Sequence, residues 1–305
     1  MNFFLRIAIL GFLLSDLAFS TVSSAQETSS TLKKVAERNE IVIGYRESSI
    51  PFSYLDDNQK PIGYSIDICN KIVDAVRAEL KRPNVLVTYT PVTPSTRIPL
   101  MANGTIDLEC GSTSNTVDRQ KQVSFAPTTF VTTTRFVSKK GSGFNSFRDL
   151  KGKTIVTTSG TTTIKLINEV NAKDGLNWTI LPAADHGEAF TMVESGRASA
   201  FFMDDILLYS LVARSKNPSD YVISTEAMSV EPYGIVLRKD DPVFQKVVNE
   251  AVTALLQSGE INKVYDKWFL KPIPPKSLVL GLPMSAQLAR VVARPTNSGD
   301  PDVYK

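Results

Sequence analysis

The sequence predicts an α/β protein with two lobes facing each other across a cleft. Three observations carry that expectation. Short apolar runs alternate with stretches of helical periodicity, the order that builds a parallel α/β sheet. A helix–Gly–strand join occurs twice, at Arg97-Ile-Pro-Leu-Met-Ala-Asn-Gly104 and at Ala189-Phe-Thr-Met-Val-Glu-Ser-Gly196. The chain has 305 residues, enough for two separate cores.

The first lobe's elements follow in order. A short helix near residues 32–36 precedes an apolar strand at 41–45, with Arg46 directly after it. Residues 48–61 read as a loop and hairpin, with Asp56-Asp57-Asn58 as turn chemistry. Residues 65–80 place Ile66, Cys69, Ile72, Val73, Val76 and Leu80 at helical spacing. A strand at 85–89 and a short helix at 94–102 carrying Arg97 come next. A buried strand at 106–110 then ends in Gly111-Ser112-Thr113-Ser114. Asn115 or Thr116 caps a short helix, which puts Arg119 one turn inside it.

Strands are expected near 123–125, 130–139, 154–157, 178–181, 198–203, 221–223 and 233–238. Gly160, Thr161 and Thr162 open one helix, residues 186–194 form another, and Asp204-Asp205 opens a third. Helices at 242–257 and 261–269 end before Pro272, Pro274 and Pro275. The last residues read as a tail, ordered at first and frayed at its end.

Composition excludes several classes. Hydrophobic residues make up 42% and charged residues 21%, ordinary for a globular chain. A dispersed net charge of +3 gives no footprint for nucleic acid. One histidine and two cysteines leave little for a metal site, so neither metal nor cofactor is expected. Residues 1–25 read as an export signal: Arg6, an apolar core from Ile7 to Leu14, and Ser23-Ser24-Ala25 before the cut. The mature chain is then expected to start near Gln26, outside the inner membrane.

The residues with chemical potential fall at strand C-termini and helix starts, the edge where open α/β sheets bind ligands. They are Arg46, Arg97, Ser112, Ser114, Arg119, Thr161, Thr162, His186 and Asp204. Three guanidiniums, one imidazole, several hydroxyls and one carboxylate complement a ligand with more than one anionic group and one cationic group. Each also has a bland reading. Arg46 could be a surface charge, Arg97 a partner of Asp107 or Glu109, His186 a helix-start residue bonded to Asp185, and Asp204 a capping acid.

Taken together, Gly44-Tyr45-Arg46-Glu47-Ser48-Ser49-Ile50-Pro51-Phe52-Ser53-Tyr54, Gly63-Tyr64-Ser65, Arg97-Ile98-Pro99-Leu100, Glu109-Cys110-Gly111-Ser112-Thr113, Arg119-Gln120-Lys121-Gln122, Thr158-Ser159-Gly160-Thr161-Thr162 and Met203-Asp204-Asp205 resemble one family. It is the periplasmic aspartate/glutamate-binding proteins of ABC amino-acid importers, within solute-binding protein family 3, and the likeness runs from about residue 31 to 280. The resemblance implies a type II periplasmic-binding fold. Residues 26–132 with 233–280 would form lobe 1, residues 133–232 an inserted lobe 2, and residues 281–305 a C-terminal tail. Two β crossovers, near 129–135 and 230–236, would be the hinge.

The resemblance also implies roles. Arg119 would clamp the ligand's α-carboxylate beside Ser112 and Ser114, with Thr162 and Thr161 adding donors. Asp204 would take the α-ammonium, and Arg46, Arg97 and His186 would surround the side-chain carboxylate. The implied partners are L-glutamate or L-aspartate and an inner-membrane ABC permease, with the protein a monomer. Pro94 stands where the family pattern has Ser, which removes one hydroxyl, and Ser114 replaces a Thr. Cys69 on a helix face and Cys110 at a strand end read as core, but could pair if their Cα separation allows. The competing reading is an enzyme on the same fold, a dehydratase acting on an anionic cyclic substrate, with His186 or Asp204 as acid or base.

Overall fold

The computed structural model describes residues 29–275 and 277–305, so the expected export signal lies outside the described residues. The first lobe begins with α1 (Ser30–Arg38), β1 (Glu40–Tyr45) and a small hairpin sheet of β2 (Ser48–Ser49), β3 (Ser53–Leu55) and β4 (Pro61–Ile62). Then come α2 (Tyr64–Leu80), β5 (Leu86–Pro91), α3 (Arg97–Ala102), β6 (Leu108–Glu109), α4 (Val117–Gln120) and β7 (Val123–Phe125). Helix α2 forms because Ile66, Cys69, Val73 and Val76 recur along one buried stripe, and it stops where Lys81 turns left-handed at φ 54°.

The middle of the chain builds the second lobe. It runs β8 (Phe130–Lys139), β9 (Thr154–Thr158), α5 (Thr162–Asp174), β10 (Thr179–Ala183), α6 (His186–Glu194), β11 (Ala200–Asp204), α7 (Asp205–Arg214), β12 (Tyr221–Ile223) and β13 (Ser229–Tyr233). The chain then returns through β14 (Val236–Arg238), α8 (Pro242–Gln257), α9 (Glu260–Tyr265) and α10 (Ala286–Ala293).

Two mixed sheets result, where alternation alone predicts parallel ones. The first has the order β5-β1-β6-β14-β7, with β1 parallel to β5 and β6. Strand β14, arriving from the far end of the sequence, fits antiparallel between β6 and β7. The second has the order β10-β9-β11-β8-β12, with β13 on β8. Strand β8 serves both purposes. Its first half, Phe130 to Thr134, pairs antiparallel with Tyr233 to Ser229, and its second half pairs with β11 and β12. The antiparallel pairs therefore arise where the chain passes between lobes, because one strand leaves as the other returns. At the base of this crossing the rings of Phe130, Phe269 and Tyr265 stack, with Phe52 edge-on to Phe130 and Tyr233. The Tyr64 hydroxyl donates to the Thr129 carbonyl at 2.8 Å.

Two expectations change. The buried strand expected over residues 106–110 pairs as a strand only at Leu108–Glu109, because the Asp107 carboxylate accepts the Val42 N–H and an ion pair from Lys34. The C-terminal segment, expected to fray, is folded through a 3-10 turn at Pro301–Tyr304. Tyr304 is 1% exposed and packs with Val131 and Val291. Local periodicity does not announce Tyr304. Among the described residues no helix is long and apolar enough to cross a membrane.

Cys69 and Cys110 form a disulfide, with Cα atoms 6.3 Å apart. It ties α2 to the residue after β6, where the Gly-Ser-Thr-Ser loop begins. Closing a loop across a sequence separation of 41 residues constrains the unfolded chain by roughly 4 kcal/mol. Urea unfolding of a Cys69→Ser/Cys110→Ser variant should accordingly show a loss on that scale, and an unchanged midpoint would contradict the stabilising role.

Candidate functional site

Each candidate side chain is delivered by an element end. Arg46 follows β1, Arg97 opens α3, Ser112 and Ser114 follow β6, and Arg119 lies in α4, whose first turn is capped by the Thr116 hydroxyl accepting from the Arg119 N–H at 3.2 Å. From the other lobe, Thr161 is the N-cap position of α5, His186 begins α6 and Asp204 ends β11. Eight of the nine line one enclosed cavity: Arg46, Arg97, Ser112, Ser114, Thr161, Thr162, His186 and Asp204, together with Met203 and Leu207. The space between atoms is about 210 Å³. Arg119 stands next door, in a wider groove that shares Thr161 and Thr162 with the cavity and also includes Asn115, Lys165, Glu231, Gly299 and Pro301.

The bland readings of Arg46 and Arg97 do not hold. Both are 2% exposed, and neither forms an ion pair with a carboxylate among the described residues. Arg97 is held indirectly: its Nη1 donates to the Thr113 hydroxyl at 2.5 Å, and that hydroxyl donates to Glu109 Oε2 at 2.6 Å. Asp107, the alternative partner, pairs with Lys34 and Arg238 instead. Arg46 Nη1, Arg97 Nε and Ser112 Oγ are buried without a hydrogen-bond partner. Unpaired buried donors are costly, and an anionic ligand offers the acceptors that would satisfy them.

Burial, and then repulsion from Arg97, lowers the Arg46 pKa to about 9; it keeps its charge at neutral pH. Burial also lowers Arg97, and brings Arg119 to about 10. His186 is held well below its usual range, first by burial and then by Arg46 and Arg97, so the imidazole is neutral. Its bonds assign the tautomer. Arg46 Nη2 lies 3.4 Å from Nε2 and can only donate, so Nε2 accepts and Nδ1–H donates to the Thr158 hydroxyl at 2.8 Å. Asp185, the other suggested partner of His186, instead caps α6 by accepting the Glu188 N–H at 2.9 Å.

Asp204 is set apart from ordinary capping acids. It is 2% exposed, makes no side-chain cap bond, accepts the Tyr233 hydroxyl, and accepts Thr134 Oγ1 at 3.2 Å. Burial and then the Glu231 carboxylate raise its pKa to about 8. The site thus combines three guanidiniums, a neutral imidazole and a carboxyl group that is largely protonated at neutral pH.

The lobes touch around this cavity. Arg119 Nη1 donates to the Ser114 carbonyl at 2.8 Å, while Nη2 reaches across to the Gly160 carbonyl at 3.1 Å. Gly160 has φ +73°, and a Cβ there would lie 2.6 Å from the Ser95 nitrogen of the facing lobe. Lys165 of α5 pairs with Asp118 of α4 at 3.0 Å.

Residues 41–271 match the family model of bacterial extracellular solute-binding proteins, family 3. The chain belongs to this family. It is 51% identical over 274 residues to the L-glutamate/L-aspartate-binding protein of Pseudomonas aeruginosa, covering 90% of this chain and 91% of that one. It is 45% identical over 290 residues to the glutamate/aspartate import solute-binding protein of Escherichia coli, covering 95% and 96%. Among solved structures, a mutant of ArgBP from T. maritima superposes with a TM-score of 0.69 at 28% identity, covering 78% of this chain and 98% of that one. These relatives are named as solute-binding proteins rather than as enzymes.

For this family member, sequence reasoning missed four residues of the site's surroundings: Thr113, Thr158, Glu231 and Tyr233. Glu231 lies on the crossing strand β13, is 6% exposed, and accepts the Thr162 hydroxyl at 3.0 Å and the Ser229 hydroxyl at 2.7 Å. A buried Glu within Ser229-Val-Glu-Pro-Tyr233 was the available signal, but only the fold shows it facing Thr162 and Arg119. Because the folded pKa of Asp204 is raised above its unfolded value, its contribution is complete below about pH 4 and is lost as pH rises through about 8. Thermal melts of ligand-free Asp204→Asn should therefore run above the parent at pH 8–9, by up to about 1.4 kcal/mol for each pKa unit of the shift, and converge with it near pH 4. A gap independent of pH would contradict the buried protonated carboxyl.

Proposed function

We propose that this protein is the periplasmic substrate-binding component of an ABC importer, capturing L-glutamate and L-aspartate between its lobes and delivering them to an inner-membrane permease as a monomer. Lobe 1 is assigned residues 26–132 with 233–280, and lobe 2 residues 133–232, the two moving about the β8–β13 crossing. The observation that carries the reading is the surplus of buried, unpaired guanidinium donors beside a single protonated carboxyl. A dicarboxylic amino acid supplies two anions for the arginines and one ammonium for Asp204, which brings the site near neutrality. Its named relatives at 45–51% identity support the same choice of solute.

In this reading Arg119, Ser112, Ser114, Thr161 and Thr162 hold the α-carboxylate, and Asp204 takes the α-ammonium. Arg46 and Arg97 take the side-chain carboxylate, with His186 steadying Arg46. Closure removes water, so a charge pair at about 4 Å strengthens from about 1 kcal/mol in water toward about 4 kcal/mol near a protein surface. The enzyme reading is less well supported. His186 is committed between Arg46 and Thr158, which leaves it poorly placed as an acid or base.

A thermal-shift panel should find L-glutamate and L-aspartate raising the melting temperature, since a ligand of the folded state stabilises by mass action. Calorimetry should then show glutamine binding more weakly than glutamate by about 2–5 kcal/mol, the cost of leaving a buried charge unpaired. Arg119→Ala should abolish measurable binding. Equal affinities for the two ligands, or an unaffected Arg119→Ala, would remove the assignment. Binding should also release a proton at pH 7, because the incoming ammonium favours ionised Asp204; titrations in buffers of different ionisation enthalpy measure it. No dependence on the buffer would contradict that role.

A further inference from the structure

The C-terminal segment from Pro295 to Lys305 reaches a part of the molecule that matters for the proposed ligand. The family match ends at residue 271, and 78% of this chain already covers 98% of the ArgBP structure. The last stretch lies beyond the residues that the family model matches. Its backbone and side chains attach to the loop that carries Arg119. Asn115, fully buried, donates through Nδ2 to the Asn297 carbonyl at 2.8 Å. Gln120 Nε2 donates both to that carbonyl, at 2.9 Å, and to Asn115 Oδ1, at 2.8 Å. Gly299 lies directly on the first turn of α4: a Cβ there would sit 2.7 Å from the Val117 nitrogen and 2.8 Å from the Thr116 carbonyl carbon.

The same segment holds the crossing between lobes. The Thr128 N–H donates to the Thr296 carbonyl at 2.8 Å, and the Thr128 and Tyr304 hydroxyls are 2.8 Å apart. The Tyr304 ring packs on Val131 of β8, with Val230 of β13 alongside. Helix α4 has only four residues, too few to hold its shape without support from its neighbours. Yet it carries the guanidinium that bridges to the Gly160 carbonyl.

We infer that residues 295–305, acting through Asn115, Gln120 and Gly299, position Arg119 for the ligand carboxylate and fix its helix relative to the crossing strands. The inference rests on the proposed function, and the two fail separately. A full chain that does not bind L-glutamate defeats the functional reading. A full chain that binds, with a shortened chain that binds equally well, defeats this one.

Calorimetric titration with L-glutamate should compare the full chain, a chain ending at Arg294, and Gly299→Ala in the full chain. Both changes should weaken binding about tenfold or more, as small displacements of a clamping group do. Repeated in an Arg119→Lys background, they should cost little further, because the group they position is already compromised. Equal losses in both backgrounds would indicate general loosening and overturn the proposal. Amide hydrogen exchange of the ligand-free chains supplies a readout without ligand. Faster exchange at Arg119 and Gln120 in Gly299→Ala supports positioning, and unchanged exchange refutes it even where the shortened chain fails to fold.

Discussion

Everything in the cleft follows from placing guanidiniums where water does not reach. Arg46 and Arg97 are almost fully buried, and the nearest carboxylate, Glu109, reaches Arg97 only through the Thr113 hydroxyl. A direct pair would have neutralised the site. The relay fixes the guanidinium in orientation yet leaves donors over, so the fold carries buried positive charge without a direct counter-ion. Asp204 faces it from the opposite side. It is pressed toward its protonated form by burial and by Glu231.

The architecture makes that charge bearable. One apolar cluster runs from the first sheet into the second, a further one lies wholly in the second lobe, and the charged groups come from loops at sheet edges and from helix starts. The disulfide and the aromatic stack brace the first lobe where the chain crosses over. Strands β8 and β13 are the two segments by which the chain passes between the sheets, the expected geometry of a hinge.

The elements themselves were legible, because strand and helix periodicity survives in short segments: the α2 stripe and the apolar run before Arg46 stand out by spacing alone. The convergence of the charged residues was legible only as a count of signs. Their meeting was implied by the family resemblance and not by spacing, since Arg46 and His186 lie 140 residues apart and meet only because α6 is folded toward β1. The imidazole's neutrality was illegible for the same reason: it arises first from burial and then from two arginines contributed by the other lobe. Cys69 and Cys110 looked like core because each is indeed buried in an apolar setting, and pairing depends on a separation that spacing along the chain does not encode. Leu288, Val291 and Val292 at helical spacing behind Ser285 did mark α10, which the reading of a tail passed over, whereas Tyr304 stands alone and only the fold shows it buried.

Where Gly160 meets Ser95, main chain faces main chain with only a hydrogen between them. The depth to which the jaws shut at that point is consequently a matter of covalent dimensions and not of side-chain choice. A methyl group on Gly160 would act as a doorstop, propping the mouth ajar. The solute would then sit in a wetter chamber and leave sooner, although every residue that grips it was intact.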